Sequence, residues 1–304
     1  MRVILAGCLL FAAFVAIHFP YATDAAPTAA EIAKTTAFYQ QAYAAPSETP
    51  SPDEDQYIQA STQASEGWHV KDRVQEFAAA QHLETKRVLE VGSGRGYLQD
   101  VVADYTGLDI SPSVKRFYHK PFVLGSATAL PFRDNAYDAV WSIWVLEHVP
   151  NPEQALREMR RVVINGGLLY LFPAWGAAPW AAQGYDVRPY SNLGLGGKLI
   201  KASIPLRKTN LFQAAYTAPI RTLRWLSYTA LREPSTLHYR RLTPNYDKFW
   251  EGDSDAVSSL DRYEALLWFL SRGDECLNCG TASLFRAIAE HVTDPRLIIR
   301  VHKG

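Results

Sequence analysis

An apolar run that ends in an acid and opens straight into alternate glycines leaves few folds available to a chain. In VLEVGSGRGYLQD, Val88 to Asp100, the short buried strand RVLEV runs into Gly92, Gly94 and Gly96. Glycine lets the backbone turn tightly and approach a ligand with no side chain in between. Such a loop wraps either a dinucleotide or a smaller adenosine cofactor. Asp109 ends the next strand, GLDI, where a carboxylate accepts ribose hydroxyls, and this suits both ligands. Two details separate them. The dinucleotide fingerprint G-x-G-x-x-G places its third glycine one position later than Gly96. Glu90 also precedes the loop, where a carboxylate opposes a diphosphate and suits a cationic ligand bearing an amino group.

The rest of the chain repeats the strand-and-helix alternation. Apolar residues Val70, Val74, Phe77 and Ala78 recur at helical spacing from Trp68 to Gln81. YLQDVVADY reads as a short helix, TGLDI as a second strand, FVLG as a third and YDAVWSI as a fourth. Asn151-Pro152 opens a helix with an N-cap and a first-turn proline. Leu156, Met159 and Val163 give that helix an apolar face, and LLYLF follows as a fifth strand. A helix over Ala282–His291 and a last strand, RLIIRVHK, are expected near the end. Alternation of this kind implies an α/β doubly wound, mostly parallel Rossmann-like sheet covered on both faces. A helical insertion is expected before the last strands. Asp261 to Glu264 reads as a capping box opening a further helix.

The segments VLEVGSGRG, GLDIS, GSATALPF, YDAVWSIWVLEHV and NPEQALREMRRVVINGGLLYLF together resemble the class I S-adenosylmethionine-dependent methyltransferases, closest to the methyltransferase type 11 group. The resemblance spans Val88 to Phe172, with five motifs in order. It implies that Glu90 and the Gly92, Ser93, Gly94, Gly96 loop hold the methionine end of S-adenosyl-L-methionine. By the same resemblance Asp109 binds the ribose hydroxyls and Ile110 lies against adenine. Ser126, Ala127 and Thr128 would meet the adenine edge, with Ser142 and Trp144 under the methionine portion. The family usually has Asp where Ser126 stands, and Pro-Gly-Gly where this chain has Asn165-Gly166-Gly167.

Methyl transfer from a sulfonium is an in-line displacement, so alignment and exclusion of water matter most. An oxygen acceptor must also lose a proton, and His148, just past the fourth strand, is the candidate base. Glu147 lies on the same rim. The expected domain runs over 66–304, with 173–245 a basic lid that holds a small-molecule, glycan or lipid-linked acceptor. Between Arg188 and Arg241 there are ten Lys or Arg residues and one acid, Glu233. With aromatics and leucines interleaved, this 188–241 region suits a membrane surface or an anionic lipid. The formal net charge is zero, so no nucleic-acid partner is expected. Cys276 and Cys279 are expected to be structural thiols, with no metal bound.

Residues 1–21 carry the uncharged run VILAGCLLFAAFVAI, of the form of a signal or anchor. Residues 22–65, rich in Ala, Pro, Ser and acids, read as a flexible tether, with EIAKTTAFYQQAYAA inside it a candidate for a helical turn or two. The expectation is membrane association through 1–21 with the catalytic domain cytoplasmic, since the donor is a cytosolic metabolite. Export after signal cleavage is the other arrangement. A non-catalytic, membrane-tethered scaffold is the alternative to an enzyme, and a nicotinamide oxidoreductase is disfavoured by the glycine spacing.

Overall fold

Seven strands form one sheet in the order β3-β2-β1-β4-β5-β9-β8, and its first five strands run parallel. They are β1 (Arg87–Val91), β2 (Asp104–Asp109), β3 (Phe122–Leu124), β4 (Tyr137–Ile143) and β5 (Val163–Phe172). Then β9 (Leu297–Arg300) pairs antiparallel with β5, and the short β8 (Glu275–Cys276) pairs antiparallel with β9. The computed structural model describes residues 2–17, 26–43, 54–231, 233–279 and 294–304. It divides into a sheet unit (Ala26–Pro173, Gly273–Leu277, Arg296–Gly304) and a helical unit (Met1–Ala25, Ala174–Arg272, Asn278–Pro295). The helix expected over Ala282–His291 lies outside the described residues.

In the sheet unit both faces of the central strands are buried, which is why these strands read as continuous apolar runs. Val88, Ala139, Trp141, Tyr170 and Phe172 join one core with Val74 and Phe77 of α4 (Val70–Ala80). Leu89, Val140, Leu169 and Leu171 alternate with them and are also fully buried. The helix α5 (Pro152–Val162) has its expected Asn151 cap, whose side chain accepts from Gln154 N. It buries Leu156 and Met159 and is tied to the far edge of the sheet by Arg160. That guanidinium donates to both oxygens of the sealed Asp274 carboxylate (2.8 and 3.0 Å) and to His302 O.

Three expectations need correction here. YLQDVVADY makes no regular helix; it forms successive turns in which Gln99 N donates to Gly96 O and Val101 N to Leu98 O. The positive-φ glycines that start the segment keep it from entering an α-helical register. The stretch read as a tether carries two helices, α2 (Ala29–Ala42) and α3 (Glu54–Gly67). A capping box between Thr28 and Glu31 starts the first of these. Cys276 and Cys279 are disulfide-bonded rather than free thiols, and Cys8 is free and exposed.

The helical unit holds α1 (Arg2–Ile17), α6 (Leu195–Arg207), α7 (Asn210–Leu231), α8 (Arg262–Leu270) and the hairpin of β6 (Tyr239–Arg241) with β7 (Ser258–Leu260). Its arginines turn inward. Arg221 on α7 donates to both oxygens of Asp261 (3.2 and 2.9 Å), and both side chains are buried. Arg224 likewise holds Glu264 on α8, whose carboxyl burial pushes up to about 7. Asp261 caps α8 as expected by accepting from Tyr263 N, but Glu264 binds Arg224 instead of closing a capping box. Arg207, at the end of α6, is 1% exposed, yet neither its Nε nor its Nη1 has a hydrogen-bond partner among the described residues. Its guanidinium stacks 4.8 Å from the Phe14 ring and 5.5 Å from the Trp180 ring. Each such contact contributes about 2 kcal/mol when desolvated, against a desolvation cost of several kcal/mol for a buried ion.

Candidate functional site

The glycine loop leaves β1 in left-handed backbone, with φ of 72° at Gly92, 47° at Gly94 and 70° at Gly96. A Cβ at Gly92 would lie 2.2 Å from the Val145 side chain, so no other residue fits there. The loop is stitched to β2, since Gly92 N and Ser93 N both donate to Leu108 O (2.8 and 3.0 Å). Asp109 then fixes its shape. One carboxylate oxygen accepts from Gly94 N (2.8 Å) and the other from Ser111 N (2.9 Å). Burial raises the Asp109 pKa, and these backbone donors oppose the rise. A carboxylate has about four acceptor sites, so with the Ile110 N–H also close by, capacity remains for a hydroxyl donor.

Glu90 shares its sheet face with Val88 and therefore points into the core containing Tyr105 and Trp141. It is 5% exposed and accepts a hydrogen bond from Tyr105 Oη. Burial pushes its pKa to about 8; the Tyr105 bond opposes that rise and the nearby Asp109 charge adds to it. At neutral pH the group holds its proton, and a bound cation would favour releasing it. Close by in sequence and register, Ser93 Oγ and Ser142 Oγ are sealed from solvent with no hydrogen-bond partner among the described residues, while the Trp141 side chain faces Glu90. A glycine cradle, two buried acids and orphaned hydroxyls fit a ligand that combines a cation with hydroxyl groups, as S-adenosylmethionine does.

The remaining candidates fall into three groups. Ile110 is half-buried directly after Asp109. Ser126, Ala127 and Thr128 form a turn after β3, but the Ser126 hydroxyl lies 2.9 Å from Thr128 Oγ1 and accepts from Thr128 N. An adenine amino group would share that hydroxyl with the turn. Ser142 and Trp144 stand at the end of β4, where Trp144 holds a positive φ of 52° and donates its N–H to Phe172 O. Left-handed backbone is costly for so bulky a residue, and such strain concentrates at functional sites. His148 follows in a short turn, half-buried, with Nε2 3.9 Å from the sealed Glu147 carboxylate. Among the described residues no cluster of three His, Cys, Asp or Glu side chains offers a metal site.

The structure adds side chains that the sequence reading did not single out. Tyr118 Oη donates to Ser93 O and Gly94 O (3.2 Å each) and clamps the loop from the β2 side. The end of α2 is anchored beside Asp109: Ser111 Oγ donates to Gln40 O and Arg116 Nη2 to Tyr43 O. This places the Tyr43 hydroxyl 3.0 Å from where a Gly94 Cβ would stand. The Tyr39 ring lies 5.5 Å from the His148 ring. The signal for α2 was present in the Thr28-x-x-Glu31 capping box, but nothing in the sequence said where the helix docks.

Residues 89–171 match the family model described as a methyltransferase domain. Over 80 residues the chain is 44% identical to the ubiquinone/menaquinone biosynthesis C-methyltransferase of Hahella chejuensis, covering 26% of this chain and 32% of that protein. It is 35% identical over 116 residues to the probable phthiotriol/phenolphthiotriol dimycocerosates methyltransferase 2 of Mycobacterium ulcerans, covering 33% and 45%. The chain thus spans less than half the length of these curated relatives. A solved amino pentose methyltransferase from Micromonospora echinaspora is 19% identical at a TM-score of 0.35, covering 39% of this chain and 56% of that one.

Proposed function

Because the chain carries a methyltransferase domain of the class I S-adenosylmethionine-dependent family, we propose that it transfers a methyl group to an apolar small-molecule or lipid-type acceptor. The observation that carries this reading is the set of Glu90, the glycine loop and Asp109 at the carboxyl ends of β1 and β2. When bound, the cofactor supplies an electrophilic methyl carbon on a sulfonium, and the displaced sulfur takes the bonding electron pair as a neutral thioether. Every other task falls to the chain. Glu90, once ionised, offsets the cofactor's positive charge from the protein interior. Asp109 receives the ribose hydroxyls while holding Gly94 and Ser111 in place. Trp144 and Ser142 wall the methionine side, and Ser126 to Thr128 the adenine edge. His148, steadied by Glu147 and faced by Tyr39, accepts the proton that an oxygen acceptor or an acidic carbon gives up.

The apolar acceptor is supported by two relatives whose names place them on quinones and mycocerosates. It is also supported by the helical unit, where Leu195, Leu199, Leu211 and Leu223 are all more than half exposed, as are Val3, Ile4 and Leu5 of α1. Of the basic residues on α6 and α7, Arg207, Arg221 and Arg224 face inward, so the lipid-surface reading rests on the exposed leucines, with Lys198 and Lys201 of α6 beside them. Among the described residues no helix is long and apolar enough to cross a membrane. The reading has the chain resting on the cytosolic leaflet because the donor is made on that side. Two experiments test it. Calorimetry with S-adenosylhomocysteine should show binding, and its absence would sink the enzyme reading. Co-sedimentation with vesicles containing anionic lipid should retain the protein, and equal recovery with and without vesicles would sink the membrane part.

A further inference from the structure

Arg207 presents a buried cation for which the described residues supply no paired acid. The nearby Arg240 charge opposes its protonation. Burial is the larger influence and pushes the guanidinium below its usual range. Asp261 is already engaged by both ends of the Arg221 fork. The surroundings are otherwise apolar. Phe14 lies over the guanidinium and packs with Phe212, Tyr216 and Ile220, and Trp180 lies within 5.5 Å. Buried guanidinium nitrogens nearly always have an acceptor, because an unmade hydrogen bond to a charged group is costly. Arg221 and Arg224 in this unit are each held by a carboxylate, and Arg207 has no carboxylate partner among the described residues.

We propose that Arg207 is the anchor of a binding site for an amphiphilic oxyanion. A phosphate or carboxylate would accept from the Nε and Nη1 donors, with the attached chain against the Phe14, Phe212 and Tyr216 rings. A guanidinium presents its donors as a planar fork that matches either oxyanion. The rings on which it stacks give the apolar part of the same ligand a wall to bury against. Binding of this kind involves no covalent step and no cofactor, so it succeeds or fails independently of methyl transfer.

The test uses the full chain and four probes: inorganic phosphate, dodecyl phosphate, dodecanoate and the uncharged dodecyl maltoside, each detergent below its micelle concentration. The wild type should bind at least one dodecyl anion tenfold or more tightly than dodecyl maltoside. Whichever of the two is preferred identifies the oxyanion, and inorganic phosphate alone should bind more weakly. Arg207→Met, which keeps an unbranched apolar stem and removes the charged head, should lose at least tenfold in anion affinity. Its unliganded Tm should equal or exceed the wild type, because an uncompensated buried charge has been removed. Arg207→Lys should retain part of the affinity and so guards against a folding artefact in the methionine variant. Equal affinity for the anions and the maltoside would overturn the proposal. So would anion affinity unchanged in Arg207→Met, or a lowered Tm in that variant with no anion binding by the wild type, since the arginine would then serve ring packing alone.

Discussion

The sheet unit and the helical unit both bury ionisable groups, and they dispose of them differently. In the sheet unit Glu90 and Asp109 lie buried with the Tyr105 and Trp141 side chains and backbone N–H groups, and no cation, as partners among the described residues, beside a loop of positive-φ glycines. In the helical unit the buried charges are arginines; Arg221 and Arg224 hold carboxylates on α8, while Arg207 holds none. A paired buried charge is architecture: removing one partner strands the other. A buried charge without a counter-charge points to a ligand of the opposite sign. By this criterion the sheet unit awaits a cation with hydroxyls, and the helical unit an anion.

The contrast breaks most visibly at the pairs. Arg221→Ala should lower stability by about 3–5 kcal/mol in denaturant unfolding, because Asp261 is left buried without its cation. If it costs no more than Arg207→Met, the distinction between paired and unpaired arginines falls. Asp109→Ala comes next. It removes two backbone caps and the ribose acceptor and should weaken S-adenosylhomocysteine binding about a hundredfold, or about 3 kcal/mol. Binding unchanged in calorimetry would remove Asp109 from the site. His148→Gln should slow methyl transfer to an oxygen acceptor about a hundredfold while leaving cofactor affinity alone. A loss of affinity instead would mark His148 as packing against Tyr39.

A separate effect, read across pH, concerns Glu90. Its carboxyl is raised from 4.5 to about 8 in the folded chain. A group raised in this way favours folding below its unfolded value and ceases to do so as pH climbs through the folded value. Unliganded wild type should therefore lose stability from about pH 4.5 toward 8, and Glu90→Gln should lose less over the same window. Melting curves that shift identically in both proteins would show that Glu90 is not the titrating group.

Much of this organisation was legible in the sequence because it rests on short-range rules. Period, glycine spacing and the Asn151-Pro152 cap located β1, β4 and α5 with nearly the observed bounds. What escaped depends on tertiary placement. The docking of α2 on Ser111 and Arg116 joins residues more than 70 positions apart, and no local pattern encodes it. The same holds for Glu264, whose spacing from Asp261 suggested a capping box until Arg224, 40 residues earlier, claimed its carboxylate. YLQDVVADY has the composition of a helix, but the turns set by Gly94 and Gly96 override it. A run of basic residues likewise could not reveal that Arg207, Arg221 and Arg224 face inward.

The most direct test of the central claim is calorimetry of S-adenosylhomocysteine binding to the wild type and to Glu90→Gln. It should run from pH 6 to 7.5 in buffers of different ionisation enthalpy, so that titration of the ligand itself cancels between the proteins. The account predicts that the wild type binds, releases a proton from Glu90, and binds more tightly as pH rises, whereas Glu90→Gln binds about tenfold more weakly with no such release. No binding by the wild type, or the same proton release and pH slope in both proteins, would contradict it.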